Sequence, residues 1–276
     1  MRIDAHQHFW AYDEADYGWI NEQMRVIARD FGPDDLAHEM DAVGIDASIA
    51  VQARQSDEET DWLLGLADGN ERIAGVVGWI DLRSPSLTER LAELESAPKL
   101  VGFRHVIQDE PDPEFMLAPD FIRGVKWTLA AGYAYDILIF HHQAPHVPAF
   151  LDACGEGRFV LDHIAKPDIA GSEGIAEWGR SIRAIAAYPN VSCKLSGMVT
   201  EADWSGWTPE TFEAFLDTVL EAFGPDRVMF GSDWPVCLLA GQYEQVYGLV
   251  KRYIERNCAE REGDIFGGNA ARAYRL

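Results

Sequence analysis

Short β-rich runs alternate with amphipathic helical stretches along the whole chain, and this alternation constrains the fold more than any other feature. Eight runs are rich in β-branched, aromatic and other apolar residues, at positions 3–8, 47–52, 73–80, 100–106, 135–140, 159–163, 191–195 and 228–232. Between them, apolar residues recur at a spacing near 3.6, which is typical of amphipathic helices. Eight such alternations in 276 residues match a (β/α)8 barrel, the TIM barrel, in number and length. We therefore predict an α/β fold with one barrel domain over residues 1–276.

A doubly wound open sheet is the alternative α/β fold. Its dinucleotide-binding members carry G-x-G-x-x-G directly after the first strand, and no such motif follows residues 3–8.

Several helix ends are also well marked. One predicted helix stops at Gly44, and another begins at Thr208-Pro209 and ends at Gly224. Proline in the first turn and glycine after the last turn are common at helix termini, so the alternating pattern has clear boundaries.

Polar side chains gather at the C-terminal ends of the predicted strands, where barrels of this kind carry their functional residues. Taken in chain order, these side chains are His6 and His8, Gln52 and Arg54, Trp79 and Asp81, Arg104 and His105, His141, His142 and Gln143, Asp162 and His163, Lys194, and Asp233. In a closed barrel these strand ends surround one opening. The sequence therefore predicts a single polar site at that end.

The first run ends in a His-x-His motif formed by His6 and His8. On an extended strand, residues two positions apart share a face. We therefore expect Asp4, His6 and His8 to point together, and Ile3 and Ala5 to pack on the opposite side. Two solvated histidines at a strand end are the structural alternative. The polar residues at the other strand ends favour an active site instead.

The charge balance excludes some classes of partner. The net charge is −23 and the calculated isoelectric point is near 4.6. A face that binds nucleic acid or an anionic membrane needs clustered Lys and Arg, so we expect neither partner. No signal sequence precedes the first run, and no apolar run approaches the roughly 18 residues of a membrane span. We therefore expect a soluble, cytoplasmic protein.

Four cysteines occur, at Cys154, Cys193, Cys237 and Cys258, without a C-x-x-C pair or a tight cluster. Small buried thiols in a reducing compartment are the expected outcome.

Longer strings around the strand ends resemble the sugar-lactonase branch of the amidohydrolase superfamily (amidohydrolase family 2), which includes L-fuconolactonase-like and L-rhamnonolactonase-like enzymes. The strings are Asp4-x-His-x-His-Phe-Trp10, Gly102-Phe-Arg-His105, Leu161-Asp-His163, Lys166-Pro167, Cys193-Lys-Leu-Ser-Gly197, Phe230-Gly-Ser-Asp-Trp-Pro235 and Ile265-Phe-Gly-Gly-Asn-Ala270. The resemblance runs along the whole chain. It implies a barrel of the metal-dependent-hydrolase type and hydrolysis of a lactone.

The resemblance also implies roles for four side chains. Asp233 is the expected general base, because an ionised carboxylate can accept a proton from water. His6, His8 and His163 are expected to stabilise the tetrahedral oxyanion, either by hydrogen bonds or through one bound cation. Asp233 as a turn residue before Trp234-Pro235 is the structural alternative.

Metal-dependent relatives place a further ligand on the fifth strand. Here the candidates are His141 and His142, of which alternation lets only one face inward, and we favour His141. The resulting ligand set is His6, His8, His141 and Asp233, which suits zinc or manganese. We expect one divalent cation that activity does not require. The fourth strand has no Lys to bridge a second metal ion.

A second group of residues is expected to bind the substrate. Arg104 and Lys194 could hold the oxyanion or the product carboxylate, and their structural alternative is pairing with neighbouring acids such as Asp4. Amide and aromatic groups suit sugar hydroxyls and ring faces. The members of this group are Arg104, Lys194, Trp79, Gln52, Gln143, Trp234 and His142, with Arg54 and His105 as further candidates.

The sequence thus predicts a hydrolase that opens an aldonolactone, such as L-fuconolactone, to the aldonate. One alternative is a metal-dependent decarboxylase or muconolactone-type hydrolase of the same superfamily. An alternative from another class is a non-catalytic barrel that binds a small molecule. The sequence leaves the sugar, the ring size and the choice between a monomer and a homo-oligomer open.

Overall fold

The computed structural model describes residues 1–171 and 173–276, and its central feature is an eight-stranded parallel sheet in the order β1 to β8. The strands are β1 (Ile3–Gln7), β2 (Ala47–Val51), β3 (Ile73–Gly78), β4 (Leu100–Val106), β5 (Ala134–Leu138), β6 (Arg158–Leu161), β7 (Val191–Leu195) and β8 (Val228–Phe230). The helices are α1 (Pro33–Val43), α2 (Asp57–Asp68), α3 (Leu87–Leu94), α4 (Pro119–Ala130), α5 (Val147–Cys154), α6 (Ile175–Ala186), α7 (Pro209–Phe223), α8 (Tyr243–Asn257) and α9 (Asn269–Tyr274).

The sheet is nearly closed into a barrel by contacts between its first and last strands. The amide of His8 donates to the carbonyl of Trp234 at 2.7 Å, and the amide of Asp233 donates to the carbonyl of His6 at 2.8 Å. Each strand is followed by a helix, and neighbouring strands pair in parallel. The predicted TIM barrel is therefore confirmed.

The hydrophobic core has two layers. A large outer layer lies between strands and helices. A smaller inner layer contains Ile3, Val51, Val160 and Met229 from four different strands, together with Tyr274 of α9. Because side chains from several strands of a barrel meet only in its interior, α9 packs against the barrel's inner core.

The four cysteines are buried and free, as expected. None of the helices in residues 1–171 and 173–276 is long and apolar enough to cross a membrane.

The facing predicted for β1 is wrong for three of its residues. Ile3 and Ala5 belong to the inner layer, whereas the carboxylate of Asp4 accepts a hydrogen bond from the phenol of Tyr243 in α8. Asp4 therefore points out of the barrel and does not face the same side as the His6 imidazole. The pairing of β1 with β2 is irregular between residues 4 and 7. This irregularity breaks the simple alternation of side chains on which the prediction depended.

Gly231 allows the close approach of β8 to β1. A Cβ atom at this position would lie 2.7 Å from the Cβ of His6 and 3.1 Å from the Cβ of Ser196. Any larger residue would push apart the strand ends that carry the polar site.

Candidate active site

Four predicted catalytic side chains meet at the C-terminal end of the barrel. Oδ1 of Asp233 lies 3.3 Å from Nε2 of His8, 3.7 Å from Nε2 of His6 and 3.8 Å from Nε2 of His163. The Nε2 atoms of His6 and His8 are 3.2 Å apart. His6 lies on β1, and the other three residues lie just beyond β1, β6 and β8. All four side chains are buried, so reacting groups held among them would be shielded from bulk water.

A backbone carbonyl determines which ring nitrogen carries the proton when His8 is neutral. Nδ1 of His8 lies 2.8 Å from the carbonyl oxygen of Val51, which can only accept, so Nδ1 carries the proton. Neutral His8 therefore presents the lone pair of Nε2 to the carboxylate of Asp233. A lone pair and an anionic oxygen 3.3 Å apart repel each other unless a proton or a cation lies between them. This part of the site is suited to hold either one.

A buried charge network lies beside His6. The ammonium Nζ of Lys194 is 2.6 Å from Oδ2 of Asp136, 2.9 Å from Oδ1 of Asp162 and 3.1 Å from Nδ1 of His6. These side chains have no solvent exposure. Tyr274 donates a hydrogen bond to Asp136 from the opposite side. The three donors of Lys194 thus have three partners within the barrel.

Arg104 belongs to the same network. Its Nη1 atom lies 3.1 Å from Oδ2 of Asp162 and 3.3 Å from Nε2 of His6, and its Nη2 atom donates to the carbonyl oxygen of Gln52. The sequence placed Arg104 and Lys194 in contact with substrate. The structure places both in buried ion pairs, with Asp162 and Asp136 as partners instead of Asp4.

Burial and neighbouring charges set the charge states of His6, His163 and Asp233. Burial, together with the nearby Lys194 charge, lowers the pKa of His6 well below its usual value. Burial also lowers the pKa of His163 to about 4, although Asp233 opposes the change. Burial alone would raise the pKa of Asp233, but His163, His8 and His6 outweigh it, and the pKa falls below its usual value. At neutral pH Asp233 is therefore ionised, and His6 and His163 are neutral.

Two catalytic candidates have left-handed backbone conformations. Asp233 has φ of 59°, and His163 begins a run with φ values of 52°, 49°, 60° and 42° that ends at Lys166. This conformation costs roughly 1–2 kcal/mol per non-glycine residue. Such strain persists where surrounding contacts fix it, and it clusters at functional sites.

The described residues contain two groups whose metal-ligating atoms lie within 4.8 Å of one another. One group is His6, His8 and Asp233, and the other is His6, Asp162 and His163. In the second group, Asp162 already pairs with Lys194 and Arg104. The first group offers two imidazoles and a carboxylate, a donor set suited to zinc, so a cation fits there.

The structure does not bring His141 into either group. Nδ1 of His141 donates to the carbonyl oxygen of Lys166 at 3.1 Å. The two adjacent histidines begin a 3-10 helix, His141–His146, and not the end of a strand, so strand alternation does not decide their directions. His142 is exposed and stacks beside Phe140. The structure therefore does not support His141 as a fourth ligand.

Two further side chains that the sequence predicts as substrate contacts, Gln143 and Trp234, are buried. Both polar groups of the buried Gln143 amide bond to backbone, with Oε1 accepting from Phe140 at 3.0 Å and Nε2 donating to Ile107 at 3.0 Å. The indole of Trp234 is 2% exposed and packs edge-on against Phe9 and Phe31. The Gln143 amide has no group left for a sugar, so its prediction is corrected. The indole N–H of Trp234 makes no hydrogen bond within the described residues, so the predicted contact of Trp234 with substrate stays a prediction.

Gln52 and Trp79 keep features that suit a ligand. Oε1 of the buried Gln52 has no hydrogen-bond partner within the part of the chain that the structure describes. Trp79 is half-buried beyond β3, and its Nε1 atom donates to Nδ1 of His105 at 3.2 Å. Nε2 of His105 lies 2.7 Å from the carboxylate of Glu110. His105 thus orients Trp79, and it is not free to make a separate contact.

Arg54 pairs with carboxylates near the protein surface. Its guanidinium contacts Asp16, lies 3.9 Å from Glu58 and donates to Ser56 at 3.1 Å. The backbone amide of Arg54 donates to Glu59 at 2.8 Å. These contacts tie the loop after β2 to the segment after β1.

Sequence reasoning assigned no role to Asp136, Ser196 or Tyr274. Asp136 could have been found, because a carboxylate in the middle of an apolar strand needs a buried partner, and Lys194 occupies a similar position on β7. Ser196 lies 2.8 Å from Nδ1 of His163. Tyr274 had no local signal, since its contact with Asp136 joins residues 138 positions apart.

Comparisons with known proteins agree with this geometry. A family model described as amidohydrolase matches residues 3–276. The chain is 50% identical to an L-fucono-1,5-lactonase of Burkholderia multivorans, covering 100% of this chain and 96% of the relative. It is 37% identical to an L-fucono-1,5-lactonase of Burkholderia ambifaria, with the same coverage. A crystal structure of an amidohydrolase from Burkholderia multivorans with bound zinc superposes with a TM-score of 0.97 at 50% identity, covering 100% of this chain and 99% of that chain.

Proposed function

Because the chain belongs to the amidohydrolase family, we propose that it is a lactonase that opens a sugar-acid lactone, with L-fucono-1,5-lactone as its substrate. The observation that carries this proposal is the position of Asp233, whose Oδ1 atom lies within 3.8 Å of three imidazole nitrogens. The names of the two relatives that are 50% and 37% identical support the choice of lactone.

The reaction begins with a water molecule beside the Asp233 carboxylate. Asp233 accepts a proton from the water while the water oxygen bonds to the lactone carbonyl carbon. The carbonyl π electrons move to the carbonyl oxygen and form a tetrahedral oxyanion. The low pKa of Asp233 makes it a weak base. This strength suits an activated ester such as a lactone better than an amide.

The histidines have different roles in this scheme. Nδ1 of His8 donates to Val51, so Nε2 is the His8 nitrogen that faces Asp233 and the water. Both ring nitrogens of His6 face cationic donors, since Nζ of Lys194 lies 3.1 Å from Nδ1 and Nη1 of Arg104 lies 3.3 Å from Nε2. Ser196 can donate to Nδ1 of His163 at 2.8 Å, which leaves Nε2 of His163 to carry the proton. We assign His163 as the oxyanion donor, with His6 held beside it by the two cations.

Collapse of the oxyanion completes the hydrolysis. The carbonyl re-forms, the bond between carbonyl carbon and ring oxygen breaks, and the ring oxygen leaves with the electron pair. Asp233, now protonated, returns its proton to this oxygen. The product is a hydroxy acid that ionises at neutral pH and releases one proton. Asp233 is thus regenerated as a carboxylate.

A divalent cation, zinc or manganese, would be held by His6, His8 and Asp233, whose ligating atoms lie within 4.8 Å of one another. When bound, it would polarise the carbonyl and lower the pKa of water. The buried donors described above can act without it, so we propose that the cation is not required for turnover.

Substrate recognition falls to the remaining polar groups near the opening. The unpartnered Oε1 atom of Gln52 suits a sugar hydroxyl, the indole of Trp79 suits a ring face, and the exposed His142 lies at the rim. The four free cysteines fit a reducing compartment, and we place the enzyme in the cytoplasm.

A panel of aldonolactones with a pH indicator tests the proposal, because ring opening releases a proton. We expect L-fucono-1,5-lactone to give the highest kcat/KM, with other aldonolactones slower. Release of CO2 from aromatic acids without lactone turnover would favour a decarboxylase. Binding of a lactone without turnover would favour a non-catalytic barrel. Either result would overturn the proposal.

A further inference from the structure

We propose that His141 is a positioning residue that holds the left-handed turn carrying His163, so that the imidazole of His163 faces Asp233. This inference rests on the proposed lactonase function, because it assigns His163 a task in that reaction. It gives His141 a role through the backbone and not through a metal ion or the substrate.

The turn after β6 has a backbone conformation that is unusual for the residues that form it. Four consecutive non-glycine residues, His163 to Lys166, have φ values between 42° and 60°. One of them is the β-branched Ile164, a residue type for which this conformation is a clear outlier. A left-handed run of this length does not persist through local preference. Contacts from other elements must therefore hold it.

Two side chains hold the carbonyl groups of this turn. Nε1 of Trp178, which is buried in α6, donates to the carbonyl oxygen of Ile164 at 2.7 Å. Nδ1 of His141 donates to the carbonyl oxygen of Lys166 at 3.1 Å. The two donors bind the second and fourth residues of the run. These two hydrogen bonds fix the backbone that follows His163, the catalytic candidate at the first position of the run.

The imidazole of His163 is confined on its other side by β7 and the residues after it. Oγ of Ser196 lies 2.8 Å from Nδ1 of His163. A Cβ atom at Gly197 would lie 2.4 Å from the same nitrogen. The ring therefore fits tightly against the backbone of Gly197, and a small shift of the turn would move Nε2 relative to Asp233. A misplacement of this kind reduces kcat strongly.

Two substitutions separate the hydrogen bond from the bulk of the side chain. His141→Leu removes the donor, whereas His141→Asn keeps an N–H at the position of Nδ1. We expect kcat for L-fucono-1,5-lactone to fall at least about tenfold in His141→Leu with KM within about twofold. We expect His141→Asn to recover most of kcat. His146→Leu, in the same 3-10 helix, is the matched control and should retain wild-type activity.

A second measurement does not depend on activity. We expect amide hydrogen exchange in a peptide covering residues 162–170 to be faster in His141→Leu than in wild type, and to return toward the wild-type rate in His141→Asn. If wild type opens no lactone but the exchange pattern holds, the proposed function fails and the role of His141 in the turn stands. Unchanged exchange and kcat in His141→Leu, or equal loss of kcat in both variants, would overturn the inference.

Discussion

The phenol of Tyr274 donates to the carboxylate of Asp136, with its oxygen 2.9 Å from Oδ1 and 2.8 Å from Oδ2. Tyr274 lies in the last helix, α9, whereas Asp136 lies on β5. Asp136 contacts Lys194 at 2.6 Å, and Lys194 lies 3.1 Å from His6. The C-terminal helix is therefore linked to the active site through two buried charged groups.

Tyr274→Phe tests this link. The substitution leaves the buried carboxylate of Asp136 with one donor fewer, and we expect the free energy of unfolding to fall by about 1–3 kcal/mol. Because Lys194 then has more freedom beside His6, kcat should also fall severalfold with little change in KM. Urea unfolding and steady-state kinetics measure the two effects.

Tyr188→Phe is the matched control, since its phenol donates to the exposed Asp152 at 2.7 Å. It should change stability by less than about 1 kcal/mol and leave kcat unchanged. Equal losses of stability and kcat in Tyr274→Phe and Tyr188→Phe would show that the bond from Tyr274 to Asp136 does not act on His6.

The pH dependence of stability can be predicted from Asp4. Burial raises the pKa of Asp4 to about 6 from 3.8, although hydrogen bonds from Ser232, His6 and Tyr243 lower it. The folded protein therefore binds this proton more tightly than the unfolded chain does. The contribution of Asp4 to stability is complete below pH 3.8 and is lost as the pH rises through about 6.

Asp4→Asn should remove this loss, since an amide can accept from Ser232 and donate to Tyr243. We expect its free energy of unfolding, relative to wild type, to rise by on the order of 2–3 kcal/mol between about pH 4 and pH 7. Urea unfolding at a series of pH values measures the difference. Parallel curves for the two proteins would contradict the prediction.

The sequence could predict the barrel and the three histidines that meet around Asp233. Each of these residues is close to a strand end, and in a barrel all strand ends of one direction surround the same opening. Strand position therefore predicts one polar opening, and the family resemblance selects His6, His8, His163 and Asp233 among the residues around it. The comparisons confirm the amidohydrolase family, and the relative at 50% identity, an L-fucono-1,5-lactonase, supports the proposed lactonase function.

The sequence could not predict which neighbouring polar residues face inward. Gln143 and Trp234 follow strands as expected, but Gln143 lies in a 3-10 helix and Trp234 pairs with the end of β1. Contacts with other elements set the direction of each side chain. Asp4 and His6 do not share a face, because the pairing of β1 with β2 is irregular between residues 4 and 7. Such details depend on long-range packing and not on the local pattern.

Asp233→Asn tests the proposed base. Asparagine has the same shape but cannot accept a proton from water, so we expect kcat to fall by about 10²–10⁴-fold with the fold retained by circular dichroism. Asp81→Asn replaces an exposed carboxylate beyond β3 and should retain full activity. Near-normal turnover of Asp233→Asn would show that another group activates the water.

Metal dependence is the last prediction. Because His6, His8 and Asp233 supply the ligating atoms, we expect purified protein to bind about one zinc ion. His8→Ala should weaken this binding by about 10–100-fold or more. His141→Leu should leave it within about twofold, since Nδ1 of His141 bonds to the backbone. Calorimetric titration with zinc measures these affinities.

The same ion should be dispensable for turnover. The buried N–H donors and the ionised Asp233 remain in place after the metal is removed, so protein dialysed against a chelator should keep most of its kcat on L-fucono-1,5-lactone. A complete loss of activity that zinc or manganese restores would mean that the imidazoles act through the cation and not as direct donors to the oxyanion. Residual metal measured in the dialysed sample distinguishes true independence from incomplete removal.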